Sequence, residues 1–242
     1  MFALYHEIFY QPLLNTLVFL YETIALYDFG LAIIIFTLVI RVLLFPLFQK
    51  SIRYQTTMQH LQPEMKRIED ETKKDKEREV KEKLALYKKH HVNPFYGFFF
   101  IVVQLIILIA LFHILNSYKE TIPKDLYPFI PSPPPLNETL FGLINLTKSN
   151  ILLVSVAAIA QYFQGKLSLP KKQSGVKPSH AELVGRQMVY VGPVIMLVAF
   201  ASLPAAIPLY FLVSTLFSIA QQLVINKELN NGTVGTIHKT TS

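Results

Sequence analysis

Residues 29–48 read FGLAIIIFTLVIRVLLFPLF, a stretch whose one charge is Arg41 and whose one proline is Pro46. At about 1.5 Å per residue it spans about 30 Å, the thickness of a bilayer's hydrocarbon core. Four more stretches, 95–115, 151–163, 189–203 and 205–225, are almost free of charge. The 242 residues are 52% hydrophobic and only 16% charged, with a mean hydropathy of +0.37, which excludes an ordinary soluble domain. The expected fold class is an all-α membrane protein with five transmembrane helices: 29–48, 94–115, 150–164, 188–203 and 205–226.

The basic residues give the orientation. Twelve Lys/Arg lie in 49–94, five in 165–187 and two in the tail, against three in the 116–150 loop and none in 1–28. Nineteen against three puts 49–94, 165–187 and the C-terminus in the cytoplasm and the 116–150 loop and the N-terminus outside, by the positive-inside rule. The apolar cores 151–163 and 189–203 reach only about 20 and 22 Å, so either the bilayer thins there or flanking residues such as Leu146, Thr147 and Met188 lengthen each helix.

Residues 1–28 carry no basic n-region and no small-residue cleavage site, so a cleaved leader is not expected. Glu7, Gln11, Asn15 and Glu22 fall within about 80° on a helical wheel, which favours an amphipathic helix in the outer interface; the alternative is a sixth span. The prolines of 116–149 (Pro123, Pro128, Pro131 and Pro133 to Pro135) deny that outer loop a regular helix. The tail, 227–242, is expected to be disordered.

Within the cytoplasmic segment 49–93, Leu61, Met65 and Ile68 repeat at i, i+4, i+7, and so do Val80, Leu84 and Tyr87. Two narrow apolar stripes joined through Thr72–Asp75 describe a helical hairpin over 56–90, with Pro63 in the first turn of its first arm. Eight acidic residues offset its basic ones, which weakens a simple phosphate-binding reading.

Arg41 is the strongest functional clue. A charge near the middle of a span costs at least about 2.5–3.5 kcal/mol, and no acidic residue lies in any of the five spans to neutralise it. A water-filled, protein-lined cavity explains it; the alternative is snorkelling to the cytoplasmic interface past Pro46. Gln104, Gln161, Ser214, Ser218 and Gln221 line the same cavity or serve as interhelical hydrogen-bonding groups. Zero cysteines exclude disulfides, thiolate chemistry and a lipid anchor on sulfur. Gly165-Lys166 lacks the preceding glycine of a nucleotide-binding loop, His90-His91 lack metal-ligand spacing, and no hydrolase motif occurs. Neither enzyme activity nor a cofactor or metal is expected, and no DNA partner.

An ordered set of short motifs now resembles a known family. It comprises Ile40-Arg41 with Pro46, Leu61-Gln62-Pro63-Glu64-Met65-Lys66, Ala85-Leu86-Tyr87-Lys88-Lys89 leading to Val92-Asn93-Pro94, Gln104, Leu203-Pro204-Ala205, Leu209-Tyr210, Ser218-Ile219-Ala220-Gln221-Gln222 and Ile225-Asn226. Over residues 3 to 228 this is similar to the YidC/Oxa/Alb membrane protein insertases. The resemblance implies five helices around a hydrophilic groove, open to cytoplasm and lipid and closed outside. Arg41 matches the family's groove arginine, Gln104 and Tyr210 match groove positions, and Gln161 or Gln164 matches the glutamine region of span three. Phe211 stands where the family commonly has tryptophan, and Ser214 where asparagine is frequent. As given, the sequence carries neither a large periplasmic domain nor a long basic tail, so the resemblance is to the short bacterial form.

The implied function is insertion without ATP: a nascent hydrophobic segment enters from the cytoplasm, its polar flank is hydrated in the groove, and its apolar stretch leaves sideways into lipid. Burial at about 0.8 kcal/mol per CH₂ supplies the driving force. Implied partners are nascent membrane proteins, the bilayer of the bacterial plasma membrane, the ribosome and the Sec translocon. Partner contacts fall to Lys66, Arg67, Lys88, Lys89, Lys171 and Lys172. The rival readings are an anion transporter or channel using the Arg41 cavity, and an assembly chaperone without insertase activity.

Overall fold

The computed structural model describes residues 2–73, 75–90, 95–117, 125–130, 135–169 and 180–230, and these are predominantly helical. In chain order they form α1 (Phe2–Tyr5), a π-helical turn (His6–Tyr10), α2 (Gln11–Thr23), α3 (Phe29–Leu43), α4 (Phe45–His60), α5 (Gln62–Glu71), α6 (Lys76–Lys89) and α7 (Phe95–Ser117). A two-stranded hairpin follows, β1 (Thr139–Leu140) and β2 (Ile144–Asn145), then α8 (Ile151–Ser168), α9 (His180–Phe200) and α10 (Ala206–Asn230).

The opening stretch does not form one straight helix. It breaks at Leu44, and the axes of α3 and α4 differ by 71°. Pro46, in the first turn of α4, has no N–H to give and its ring collides with the carbonyl four residues back, so α3 cannot run through it. The expected span 29–48 is therefore α3 plus the start of α4. Residues 49–60, assigned from sequence to the cytoplasmic loop, continue α4, which packs on α7 and α10 and buries Phe48, Ser51 and Ile52.

Other helices overrun their hydropathy limits. α8 runs to Ser168, α9 starts at His180 and α10 runs to Asn230, so Arg186 and Lys227 sit in helix rather than in the expected loop and tail. Hydropathy marks only the apolar part of a helix and misses the polar turns that extend it. At about 1.5 Å per residue, α8 and α9 reach about 27 and 32 Å, which favours lengthening over bilayer thinning. By length and composition, among the described residues, Ile151–Ser168 and Ala206–Lys227 qualify to cross a membrane, with the bent α3–α4 pair as a third; Ile101–Leu115 and Arg186–Phe200 are apolar but shorter.

One end of the bundle is closed by the N-terminal helix with residues 125–130 and 135–148. Leu14, Leu17, Val18 and Tyr21 of α2 join Phe29, Ile33 and Phe36 of α3 with Leu140 and Leu146 in the main core. The polar stripe of α2 is only partly outward. Asn15 is buried, donating to the Asp125 carbonyl (2.9 Å) and accepting from the Tyr127 N–H (2.7 Å), while Gln11 donates to the same Asp125 carbonyl. Phe19, Ile24, Leu26 and Tyr27 are the exposed residues instead. Asp28 caps α3 through the Leu31 N–H (2.8 Å) and accepts the Phe141 N–H with its other oxygen (2.5 Å). A Cβ on Gly30 would lie 2.8 Å from the Leu140 Cα, so glycine is what lets β1 sit on α3. The Leu146 and Lys148 carbonyls accept the Ala206 and Ala205 N–H groups, satisfying orphan donors at the start of α10.

The opposite end carries the basic segments. In the α5–α6 hairpin, Leu61, Met65 and Ile68 bury against Leu86 and Tyr87. The second arm is rotated from its sequence-based stripe: Val80 and Leu84 are exposed, at 58% and 49%, and Leu86 takes the core position. The Lys83 ammonium accompanies this rotation: it reaches across the hairpin to Glu69 of α5 (2.9 Å) and also pairs with Glu79 one turn back on its own helix (2.7 Å).

Candidate functional site

Arg41 sits on the last turn of α3 and is only 4% exposed. Its Nε donates to Ser214 Oγ at 2.8 Å and its Nη2 donates to the same oxygen. The Phe48 ring, beyond the α3–α4 bend, lies 4.3 Å from the guanidinium carbon, in cation–π range. Tyr210, fully buried one turn before Ser214 on α10, shares hydrogen bonds with the Ser214 and Gln104 side chains. Gln104 Oε1 has no partner among the described residues, so its amide N–H is the group that reaches the Tyr210 hydroxyl.

Four residues singled out from sequence thus converge: Arg41 from α3, Gln104 from α7, and Tyr210 and Ser214 from α10. The expected open, water-filled surround of Arg41 differs from what is found, because Ser214 and Phe48 close over the guanidinium. Phe48 was not singled out; its signal was its place seven residues after Arg41, two turns along an ideal helix.

Gln161 stands apart from this cluster. Its amide nitrogen lies against Gly192 at the α8–α9 seam, and its Oε1 is buried with no partner among the described residues. Gln164 offers its carbonyl to Ser168, whose hydroxyl also reaches Gln222 (3.4 Å). Gln222 donates to Asn226 (2.8 Å), and Asn226 donates to the Leu167 carbonyl (3.1 Å), tying the basic ends of α8 and α10 together.

Among the partner-contact candidates, Arg67, Lys88 and Lys89 are exposed on the hairpin and Lys66 is half-buried. Arg67 pairs loosely with Glu71 (3.6 Å). Lys171 and Lys172 lie outside the described residues. In the hairpin, hydrogen bonds from Lys83 and Lys76 hold the Glu79 carboxyl below its usual range, and Lys73 does the same for Asp70. Burial works against the Lys83 ammonium, but bonds to Glu79 and Glu69 outweigh it and raise its pKa.

The family described as 60Kd inner membrane protein matches residues 19–232, which takes in the bundle and the whole Arg41 cluster. The chain belongs to the 60Kd inner membrane protein family. Curated relatives in that family include the membrane protein insertases YidC of Rickettsia bellii and Rickettsia conorii, each 32% identical over 90% of this chain. The chain spans 38% of the length of those relatives. A crystal structure of an active YidC insertase with its first transmembrane domain resolved shares the fold, with a TM-score of 0.57 at 24% identity, covering 89% of this chain and 45% of that one. Membership in a family of inner membrane proteins accords with the bacterial plasma membrane that the resemblance implies.

Proposed function

We propose that this chain is a membrane protein insertase that takes hydrophobic segments of nascent proteins from the cytoplasm into the bilayer without ATP. The observation that carries the reading is a basic side chain held inside an apolar bundle by hydroxyl and aromatic groups of other helices. Arg41, enclosed by Ser214 and Phe48 beside Tyr210 and Gln104, supplies positive potential where a span would otherwise be hydrocarbon. An acidic or polar flank of a client replaces those contacts when Phe48 swings aside, and the client's apolar stretch passes into lipid along exposed faces such as Leu216 and Leu223 of α10.

In this reading α3–α4, α7, α8, α9 and α10 are the five spans, the basic end is cytoplasmic and α1–α2 lie in the outer interface. The basic hairpin contacts the ribosome and the Sec translocon. The closed end disfavours an anion channel, because Leu140, Leu146 and the bonds at Asp28 and Ala206 stand across the path a solute would take.

The test is reconstitution of the purified chain into sealed liposomes with a single-span client bearing an acidic flank, read by protease protection. Insertion above that of protein-free liposomes, without added nucleotide, is expected. Equal insertion with and without the protein, or chloride flux in place of insertion, would refute the proposal.

A further inference from the structure

Gln221 is 6% exposed, and neither its amide oxygen nor its amide nitrogen has a hydrogen-bond partner among the described residues. Its neighbours differ. Ser218 spends its hydroxyl on the Ser214 carbonyl of its own helix (3.1 Å), and Gln222, about 100° round the helix, is engaged with Asn226 toward α8. On α10, Ser214 and Gln221 lie within about 40° of Tyr210, so Gln221 continues the Arg41-facing stripe two turns nearer the basic end. On α4, which packs against α10, Ser51 lies one turn past Phe48, is 1% exposed and has no hydroxyl partner among the described residues.

Buried polar groups are almost always paired, so a buried amide with neither end partnered among the described residues marks a place where a ligand's polar atoms belong. A glutamine side chain offers one carbonyl acceptor and an N–H donor, the complement of a peptide group. Helical backbone has no such groups to spare, because its N–H and C=O are bonded internally; extended backbone has both free.

Building on the insertase reading, we propose that Gln221, with Ser51, forms a subsite that binds the peptide backbone of a client's flank in extended form. Arg41 then selects the flank's charge, and Gln221 selects its conformation independently of side chains. The apolar stretch of the client folds into helix only after this flank has been held open.

The experiment compares the wild-type chain with Gln221→Leu in liposomes, using a synthetic single-span peptide whose polar flank is either unmodified or N-methylated on alternate backbone nitrogens. N-methylation removes backbone donors and leaves the side chains alone. With the unmodified flank, Gln221→Leu is expected to insert about three- to tenfold more slowly than wild type, the value of one or two neutral hydrogen bonds. With the methylated flank both proteins should insert more slowly and the gap between them should narrow, because the Gln221 carbonyl loses backbone donors while its N–H can still meet a backbone carbonyl. Gln221→Leu should melt no lower than wild type, since it removes an unsatisfied buried amide. Equal rates on the unmodified flank, an equal loss on both flanks, or a lower melting temperature would each overturn the subsite. Absence of wild-type insertion with either flank would instead overturn the insertase reading beneath it.

Discussion

Replacing Arg41 with methionine removes the charge while keeping an unbranched apolar stem, and the structure bounds the result. A charge at this depth costs about 2.5–3.5 kcal/mol, which the variant recovers. Against this it loses the charged hydrogen bonds to Ser214, about 1.5–3 kcal/mol, and the cation–π contact with Phe48, about 0.5–2 kcal/mol. The net lies between about 1.5 kcal/mol stabilising and about 2.5 destabilising. Because Ser214 keeps Tyr210 as a partner, its oxygen is not orphaned and the loss falls toward the smaller end. The melting temperature, followed by circular dichroism in detergent, should therefore move by less than about 10 °C. Insertion of a client with an acidic flank should fall by about tenfold or more, since a partly buried pair is worth at least about 1.4 kcal/mol. Arg41→Lys should keep part of the activity, retaining the charge without the two N–H groups that meet on Ser214. A variant that fails to fold would make Arg41 a structural keystone, and a folded Arg41→Met that inserts the acidic client at the wild-type rate would refute its role toward the client.

Gly30→Ala drives a methyl into the Leu140 backbone and should destabilise the closed end by about 1–3 kcal/mol, visible as faster hydrogen exchange in 138–146. Asp28→Ala removes the α3 cap and the acceptor for Phe141, at a cost of about 1–3 kcal/mol in thermal unfolding, and Asp28→Asn should recover the cap alone, because its amide nitrogen cannot accept the Phe141 N–H. The hairpin should be pH-dependent in a defined direction. Glu79 and Asp70, with lowered folded pKa values, contribute stability above about pH 4, their unfolded range, and lose it as pH falls through the folded values; Lys83, with a raised one, contributes below about pH 10 and loses it at higher pH. Exchange protection of α5–α6 that stayed flat from pH 7 to pH 3 would contradict the Lys83–Glu69–Glu79 bridge.

Much of this chain was legible before any coordinates. Apolar stretches long enough for a bilayer, a lone intramembrane arginine and the i, i+4, i+7 repeat of Leu61, Met65 and Ile68 are local signals, and the ordered motifs carried the family. Tertiary structure decided what depends on facing surfaces. The 71° bend puts 49–60 into the bundle, because a proline announces a break but not the angle that packing imposes on either side of it. Val80 and Leu84 share a period with Tyr87, yet Leu86 is the buried residue, in an arrangement that lets Lys83 reach Glu69 of the other arm, a contact between helices that the period of one helix does not record. Gln161 and Gln104 are the same residue type in similar apolar surroundings. Only the rotation of their helices puts one beside Tyr210 and the other against Gly192, and a sequence records a residue's phase on its own helix but not the direction in which that helix is turned.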